Sequence, residues 1–319
     1  MQSDSVVTIA GGVGAAKFLR GLALHRGDAF RDDTAIVNVA DDFVLHGLRI
    51  CPDLDTVTYT LAGLVNPETG WGRAGETWTV KEELERLGGQ TWFSLGDRDL
   101  AVHLYRTQRT ADGAGLAQIT SEVTAALGLR TTVLPASEHA IQTMVAVEGE
   151  GEISFQDYFV ARRHSVAVDA VRFAGADTSS PAPGVLDAIA NAHSIVIAPS
   201  NPIVSIGPVL AVPGIREALV SRRQHVGAIS PIVGGKALKG PADRMLVELG
   251  HEPTALGVAH MYQPFASSLV IDEIDAALAE PIRELGMTCV FTDTIMSEPD
   301  VAAALAATTL ATIQGRRST

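Results

Sequence analysis

Four carboxylates, Asp41, Asp42, Asp53 and Asp55, fall within fifteen positions of one another. Such a set of hard oxygen ligands suits Mg²⁺, and it would repel a phosphate unless a divalent cation stood between them. A glycine turn upstream, Gly11-Gly12-Val13-Gly14 leading into Ala15-Ala16-Lys17, offers the phosphate side of such a site. Gly11, Gly12 and Gly14 permit positive φ and close backbone approach, and their amides lie at the positive end of the following helix dipole. Lys17 adds a positive charge nearby. The spacing is neither a dinucleotide fingerprint nor a P-loop, since no Gly-Lys-Ser/Thr closes it. Plainer readings stay open: Asp53 and Asp55 as helix caps behind Pro52, Asp41-Asp42 as a solvated turn, and the glycines as a helix-on-sheet packing device. Asp41 is also placed to hold the ribose of a dinucleotide, which would suit a nicotinamide dehydrogenase.

Further candidates lie at other strand ends and in one loop. Asn38 precedes Asp41, and Ser200-Asn201 follows the apolar run at 194–198. Leu95-Gly96-Asp97-Arg98-Asp99 reads as a turn into a helix. Its charges either pair internally or offer Arg98 to a phosphate and a carboxylate to an alcohol. His46, His103 and His260 read as packing residues, because no HxH or HExxH spacing raises them to ligands. Trp71, Trp78 and Trp92 suit either stacking on a flat ring or the core.

The elements that must position these residues alternate along the chain. Residues 6–10, 34–40, 194–198, 226–230, 255–259, 269–271 and 288–291 read as short buried strands. Residues 15–25, 76–87, 115–127, 185–192, 242–249, 281–285 and 301–313 read as helices, with another starting at Pro52. This alternation implies a Rossmann-like α/β fold with a doubly wound, mostly parallel sheet. Residues 1–140 and 179–319 form its nucleotide-binding core. Residues 141–178, with a hairpin at 144–159 and a strand at 166–173, form a small β-rich insertion. Gly315 suits a helix C-cap, with a frayed tail at 316–319.

Composition excludes several classes. The chain has 319 residues, 46% of them hydrophobic, and a formal net charge of −13, so a basic nucleic-acid-binding face is not expected. Its mean hydropathy is +0.20. No apolar run approaches the roughly 20 residues that span a bilayer, and the N-terminus has no signal-peptide pattern. Two isolated cysteines, Cys51 and Cys289, suit a reducing cytoplasm and argue against a disulfide framework or structural zinc.

Seven segments in order carry a family resemblance. These are Gly-Gly-Val-Gly-Ala-Ala-Lys (11–17), Val-Asn-Val-Ala-Asp-Asp (37–42), Cys-Pro-Asp-Leu-Asp-Thr (51–56), Leu-Gly-Asp-Arg-Asp (95–99), Phe-Gln-Asp-Tyr-Phe (155–159), Ala-Pro-Ser-Asn-Pro (198–202) and Ser-Pro-Ile-Val-Gly-Gly (230–235). Together they resemble the 2-phospholactate transferase family of coenzyme F-420 biosynthesis. The resemblance implies a GMP-linked diphosphate donor, the deazaflavin alcohol Fo as acceptor, Mg²⁺, GMP as product, and a homodimer. Asp41, Asp42, Asp53 and Asp55 would then bind the metal. Gly11, Gly12, Gly14, Lys17, Asn38, Ser200 and Asn201 would hold the donor, and Asp55 with the 94–99 loop, including Ser94, Asp97 and Arg98, would serve the Fo side. Trp71-Gly72-Arg73 and Glu76-Thr77-Trp78 are closer to the actinobacterial, phosphoenolpyruvate-transferring type. Ser94 departs from the family, because some relatives carry a basic residue near the deazaflavin there.

Overall fold

Short runs of β-branched and aliphatic residues build the central sheet. β1 (Val6–Ala10) passes through the glycine turn into α1 (Val13–Arg26) and pairs in parallel with β2 (Thr34–Val37). A hairpin of β3 (Phe43–Leu45) and β4 (Leu48–Ile50) follows, then α2 (Pro52–Leu61), α3 (Thr79–Arg86), α4 (Asp97–Ala111), α5 (Leu116–Ala126) and β5 (Thr132–Pro135). β6 (Gln142–Val147), β7 (Gly151–Ser154) and β8 (Val168–Ala174) make a separate antiparallel sheet. Then come α6 (Val185–Asn191), β9 (Ser194–Ile197), α7 (Gly207–Ala211), α8 (Ile215–Ser221) and β10 (Val226–Ile229). The chain ends with β11 (Ile232–Val233), β12 (Lys236–Ala237), α9 (Ala242–Glu248), α10 (Ala255–Tyr262), β13 (Ser268–Asp272), α11 (Ala279–Glu284), β14 (Thr288–Thr292) and α12 (Pro299–Ile313). The computed structural model describes residues 4–147, 149–162 and 166–315, so the tail expected at 316–319 lies outside the described residues.

The main sheet has seven strands in the order β14-β13-β10-β9-β1-β2-β5, and every paired neighbour is parallel. Strand order reverses between β1 and β9, which makes the crevice beyond their carboxyl ends the ligand position of a doubly wound fold. Every residue of β1, β9, β10 and β13 is buried, so both sheet faces are covered. Burying each Val or Ile there contributes roughly 1.5–3 kcal/mol. On one face α1 lies directly against α12: a Cβ on Gly21 would come within 2.3 Å of the Ala302 backbone.

Two local expectations are revised, and two features are added. Residues 255–259 are helical, because Thr254 caps α10 by accepting from the Gly257 amide at 3.2 Å, and a short apolar run alone does not separate helix from strand. The strand expected through residue 159 stops at Ser154, whose hydroxyl accepts the Asp157 amide and turns the chain into a helical segment, Asp157–Ala161. β5 is an additional edge strand ending in Pro135, a position where the ladder tolerates the missing donor. Residues between β2 and β5 also build two small apolar clusters apart from the main core, around Leu45, Ile50, Leu95 and Leu100, and around Tyr59, Val102, Ile119 and Val123. Val145, Phe155, Tyr158 and Val168 of the insertion instead share the main core. Among the described residues no single helix is long and apolar enough to cross a membrane, and the apolar pair Pro202–Ala211 and Ile215–Ser221 is bent by 93°.

Candidate functional site at the sheet switch point

The glycine turn is packed tightly across the switch point. The Gly11 amide donates to Ser200 Oγ at 3.3 Å, and a Cβ on Gly11 would meet Ser205 Cβ at 2.5 Å. A Cβ on Gly14 would meet the Pro199 carbonyl at 2.3 Å. None of Gly11, Gly12 or Gly14 has positive φ, so close approach alone, and not the expected left-handed backbone, requires glycine here. No side chain caps α1, and its first turn carries no acid.

Asp53 faces this turn: its Oδ1 lies 2.8 Å from where a Gly12 Cβ would stand, and its Oδ2 accepts from Asn38 Nδ2 at 3.0 Å. Asn38 Oδ1 accepts the Ala40 amide, which folds the chain after β2 so that Asp41 and Asp42 follow directly. The insertion presses on this bend from outside, with the Thr143 amide donating to Ala40 O and Gln156 Nε2 to Asp41 O. Asp41, Asp53 and Asp55 are buried, and no side chain caps α2. The solvated-turn and helix-cap readings of the four acids are therefore overturned.

Burial penalises these charges. It drives the Asp41 carboxyl well above its ordinary range, helped by the Asp53 and Asp42 charges. Asp42 is pushed up to about 7 by burial, against the pull of Arg49, 3.5 Å away, and of Cys51, whose Sγ donates to Asp42 Oδ2 at 3.0 Å. Burial raises Asp53 to about 6, opposed by Asn38. Asp41 Oδ1 and Asp42 Oδ1 are buried and have no hydrogen-bond partner.

Asp55 points elsewhere, into a network on α4. Arg106 donates to both its oxygens, through Nη1 to Oδ2 at 3.2 Å and through Nη2 to Oδ1. His103 Nδ1 lies 3.7 Å from Asp55 Oδ2, and its Nε2 lies 3.2 Å from Asp99 Oδ2. Tyr59 donates its hydroxyl to Asp99 Oδ1 at 2.6 Å. Burial opposes the Asp99 charge, yet His103 and Tyr59 outweigh it and hold the carboxyl below its ordinary value. His103 is thus a polar link and not a packing residue. Its signal was available: Asp99, His103 and Arg106 recur at i, i+4 and i+7, one helix face.

The remaining candidates are dispersed. Asp97 accepts from Thr77 Oγ1 and from the Thr79 and Val80 amides, starting α3, while Glu76 accepts the Arg98 and Asp99 amides at the start of α4. Arg98 Nη1 reaches Ala74 O, and Lys17 Nζ reaches Met296 O at 3.3 Å. Asn201 Oδ1 accepts from the Ile203 and Val204 amides and shapes the turn after β9. Ser94 Oγ accepts from Lys81 Nζ at 2.9 Å, so α3 supplies an amine beside the serine. Trp71, Trp78 and Trp92 are 48%, 40% and 40% exposed, which excludes them from the core.

Seven parallel strands that reverse order beside a glycine turn define a doubly wound, Rossmann-like α/β protein. The family model described as 2-phospho-L-lactate transferase CofD matches residues 6–309, and the chain belongs to that transferase family. A phosphoenolpyruvate transferase of Streptomyces griseus is 46% identical over 306 residues, covering 94% of this chain and 96% of the relative. Those of Thermobifida fusca and Mycolicibacterium smegmatis are 42% and 40% identical, covering 94% and 90% of this chain and 95% and 94% of theirs. A crystal structure of a UPF0052 family protein from Bacillus halodurans shares the fold at a TM-score of 0.61 and 20% identity, covering 97% of this chain and 99% of that one.

Proposed function

We propose that the protein transfers a phosphoenolpyruvyl or 2-phospholactyl group from a GMP-linked diphosphate donor to the ribityl hydroxyl of the deazaflavin Fo, in coenzyme F-420 biosynthesis. The relatives named phosphoenolpyruvate transferase favour the enolpyruvyl donor, at 40–46% identity. The observation that carries the reading is the Asp53 carboxylate set against the glycine turn, with unpartnered oxygens of Asp41 and Asp42 in the same acid cluster. Those orphaned oxygens fit a hard divalent cation. Mg²⁺ bound there would neutralise the carboxylates and let the donor diphosphate approach them.

The chain's own groups position the reactants. Amides at Gly12 and Gly14 and of the α1 start bind the diphosphate, the Gly11 amide being tied to Ser200, and Ser200 and Asn201 shape the wall for the guanosine part. Asp41, Asp42 and Asp53 would hold the metal, with Asp55 beside them. The 94–99 loop, with Lys81 providing the amine beside Ser94, takes the Fo side. The ribityl oxygen bonds to the phosphorus carrying the three-carbon acid while the bond to the GMP phosphate oxygen breaks in line. The hydroxyl proton passes to one carboxylate of the acid cluster. Purified protein with Fo, Mg²⁺ and each donor, followed by mass spectrometry, tests this: GMP and dehydro coenzyme F-420-0 are expected with the enolpyruvyl donor. Absence of GMP with every donor would refute it. Tight NAD(H) binding without Mg²⁺ dependence would favour a dehydrogenase instead.

A further inference from the structure

We infer that Arg106 is a positioning residue that fixes Asp55 and takes, as a resident cation, the place where a second divalent ion would otherwise bind. The inference rests on the metal-cluster reading above and concerns the neighbouring α4 face.

One ligand atom each from Asp55, Asp99 and His103 lies within 4.8 Å of the others, a spacing able to hold a transition-metal ion. All three side chains are buried or nearly so, at 9%, 14% and 1% exposure. The position is already charged, however. Arg106, 4% exposed, puts Nη1 3.2 Å from both Asp55 Oδ2 and His103 Nδ1. The guanidinium therefore stands between the Asp55 carboxylate and the His103 ring, where an ion held by both would have to sit. His103 Nε2 lies 3.2 Å from Asp99 Oδ2, and a metal drawn into the cluster would have to displace the guanidinium. Arg106 Nη1 also donates to Arg49 O at 3.3 Å, anchoring the group to β4. Two-pronged contact makes lysine a poor replacement, because an ammonium cannot span both oxygens.

Mn²⁺ binding to the full chain, counted by calorimetry and electron paramagnetic resonance without donor or Fo, tests this apart from turnover. Wild type is expected to bind one Mn²⁺ and Arg106→Ala two, with the second lost in Arg106→Ala/His103→Ala. Co²⁺ spectra should show histidine ligation only in the single variant. A folded Arg106→Ala that binds one Mn²⁺, or a wild type that binds two, would overturn the inference. Arg106→Lys covers the case in which alanine prevents folding. It should bind one Mn²⁺ with near-wild-type Tm, while kcat falls roughly tenfold and KM for the donor stays within about threefold. Wild-type kcat in Arg106→Lys would also overturn it. If wild type transfers nothing to Fo, the transfer reading fails while the Mn²⁺ counts still decide this one.

Discussion

Asp53 and Asp55 stand two residues apart at the start of α2, about 200° apart around the helix, and meet opposite environments. Asp53 turns to the glycine loop and joins Asp41 and Asp42, where burial raises all three carboxyls. Asp55 turns to α4, where Arg106 grips both its oxygens. In the first group Asp41 and Asp53 face no cationic side chain of the described residues and Asp42 only the half-buried Arg49 at 3.5 Å; in the second, a buried guanidinium meets both oxygens of Asp55. Buried carboxylates without a cation are costly, so the contrast separates a place built for a ligand from a place built to hold its shape.

The sharpest way to break the comparison is to neutralise one member of each group. Asp42→Asn should abolish transfer, by at least about 10³-fold at saturating Mg²⁺, while the metal-free protein becomes more stable, because a penalised charge is removed. Asp55→Asn should abolish transfer too but lower stability by roughly 3–5 kcal/mol, since Arg106 is left buried without its counter-charge. Denaturant titrations without metal check the opposite signs; equal stability changes would erase the distinction. Unchanged turnover in Asp55→Asn would remove that residue from the site.

Gly12→Ala should act next most strongly. Its Cβ would displace Asp53 Oδ1 from 2.8 Å, so turnover is expected to fall about 10–100-fold and the apparent KM for Mg²⁺ to rise. Steady-state kinetics across Mg²⁺ concentrations read both; a wild-type Mg²⁺ dependence would separate Asp53 from the metal.

A smaller effect is expected in stability against pH. Folded Asp53 and Asp42 titrate near 6 and 7, above the roughly 3.9 of an unfolded aspartate. Between pH 4 and 7 the folded state therefore holds protons that the unfolded state has released. Stability should fall as pH rises through that window, by on the order of a few kcal/mol in metal-free protein. Saturating Mg²⁺ should flatten the slope. A metal-free Tm that rises from pH 5 to pH 8, once other groups are matched in Asp42→Asn, would contradict this. Smallest of all, Asp97→Ala should only loosen the start of α3, seen as faster hydrogen exchange at the Thr79 and Val80 amides.

How much could be read from the residues varies by region. The glycine turn, the run ending at Asp41-Asp42 and the strand ending before Ser200 announced a strand-end crevice, because apolar runs of strand length followed by polar breaks survive any packing. The partners of the four acids were not legible. Whether Asp53 or Asp55 faced the glycines depended on how α2 was rotated against β2, and Arg106 reaches Asp55 across 51 positions of sequence. His103 was misjudged because its neighbours along the chain give no ligand pattern; only the helical period joins it to Asp99 and Arg106.

By itself, then, the amino-acid sequence determined the α/β alternation, the doubly wound sheet and the presence of a dense acid set beside a glycine turn. These follow from local hydrophobic period, turn chemistry and residue type. Tertiary structure alone decided that glycine is needed in the turn for contact with Pro199 and Ser205 and not for φ. It alone also set Asp53 against the glycines and Asp55 in the grip of Arg106, since burial and long-range ion pairs exist only after helices settle on the sheet.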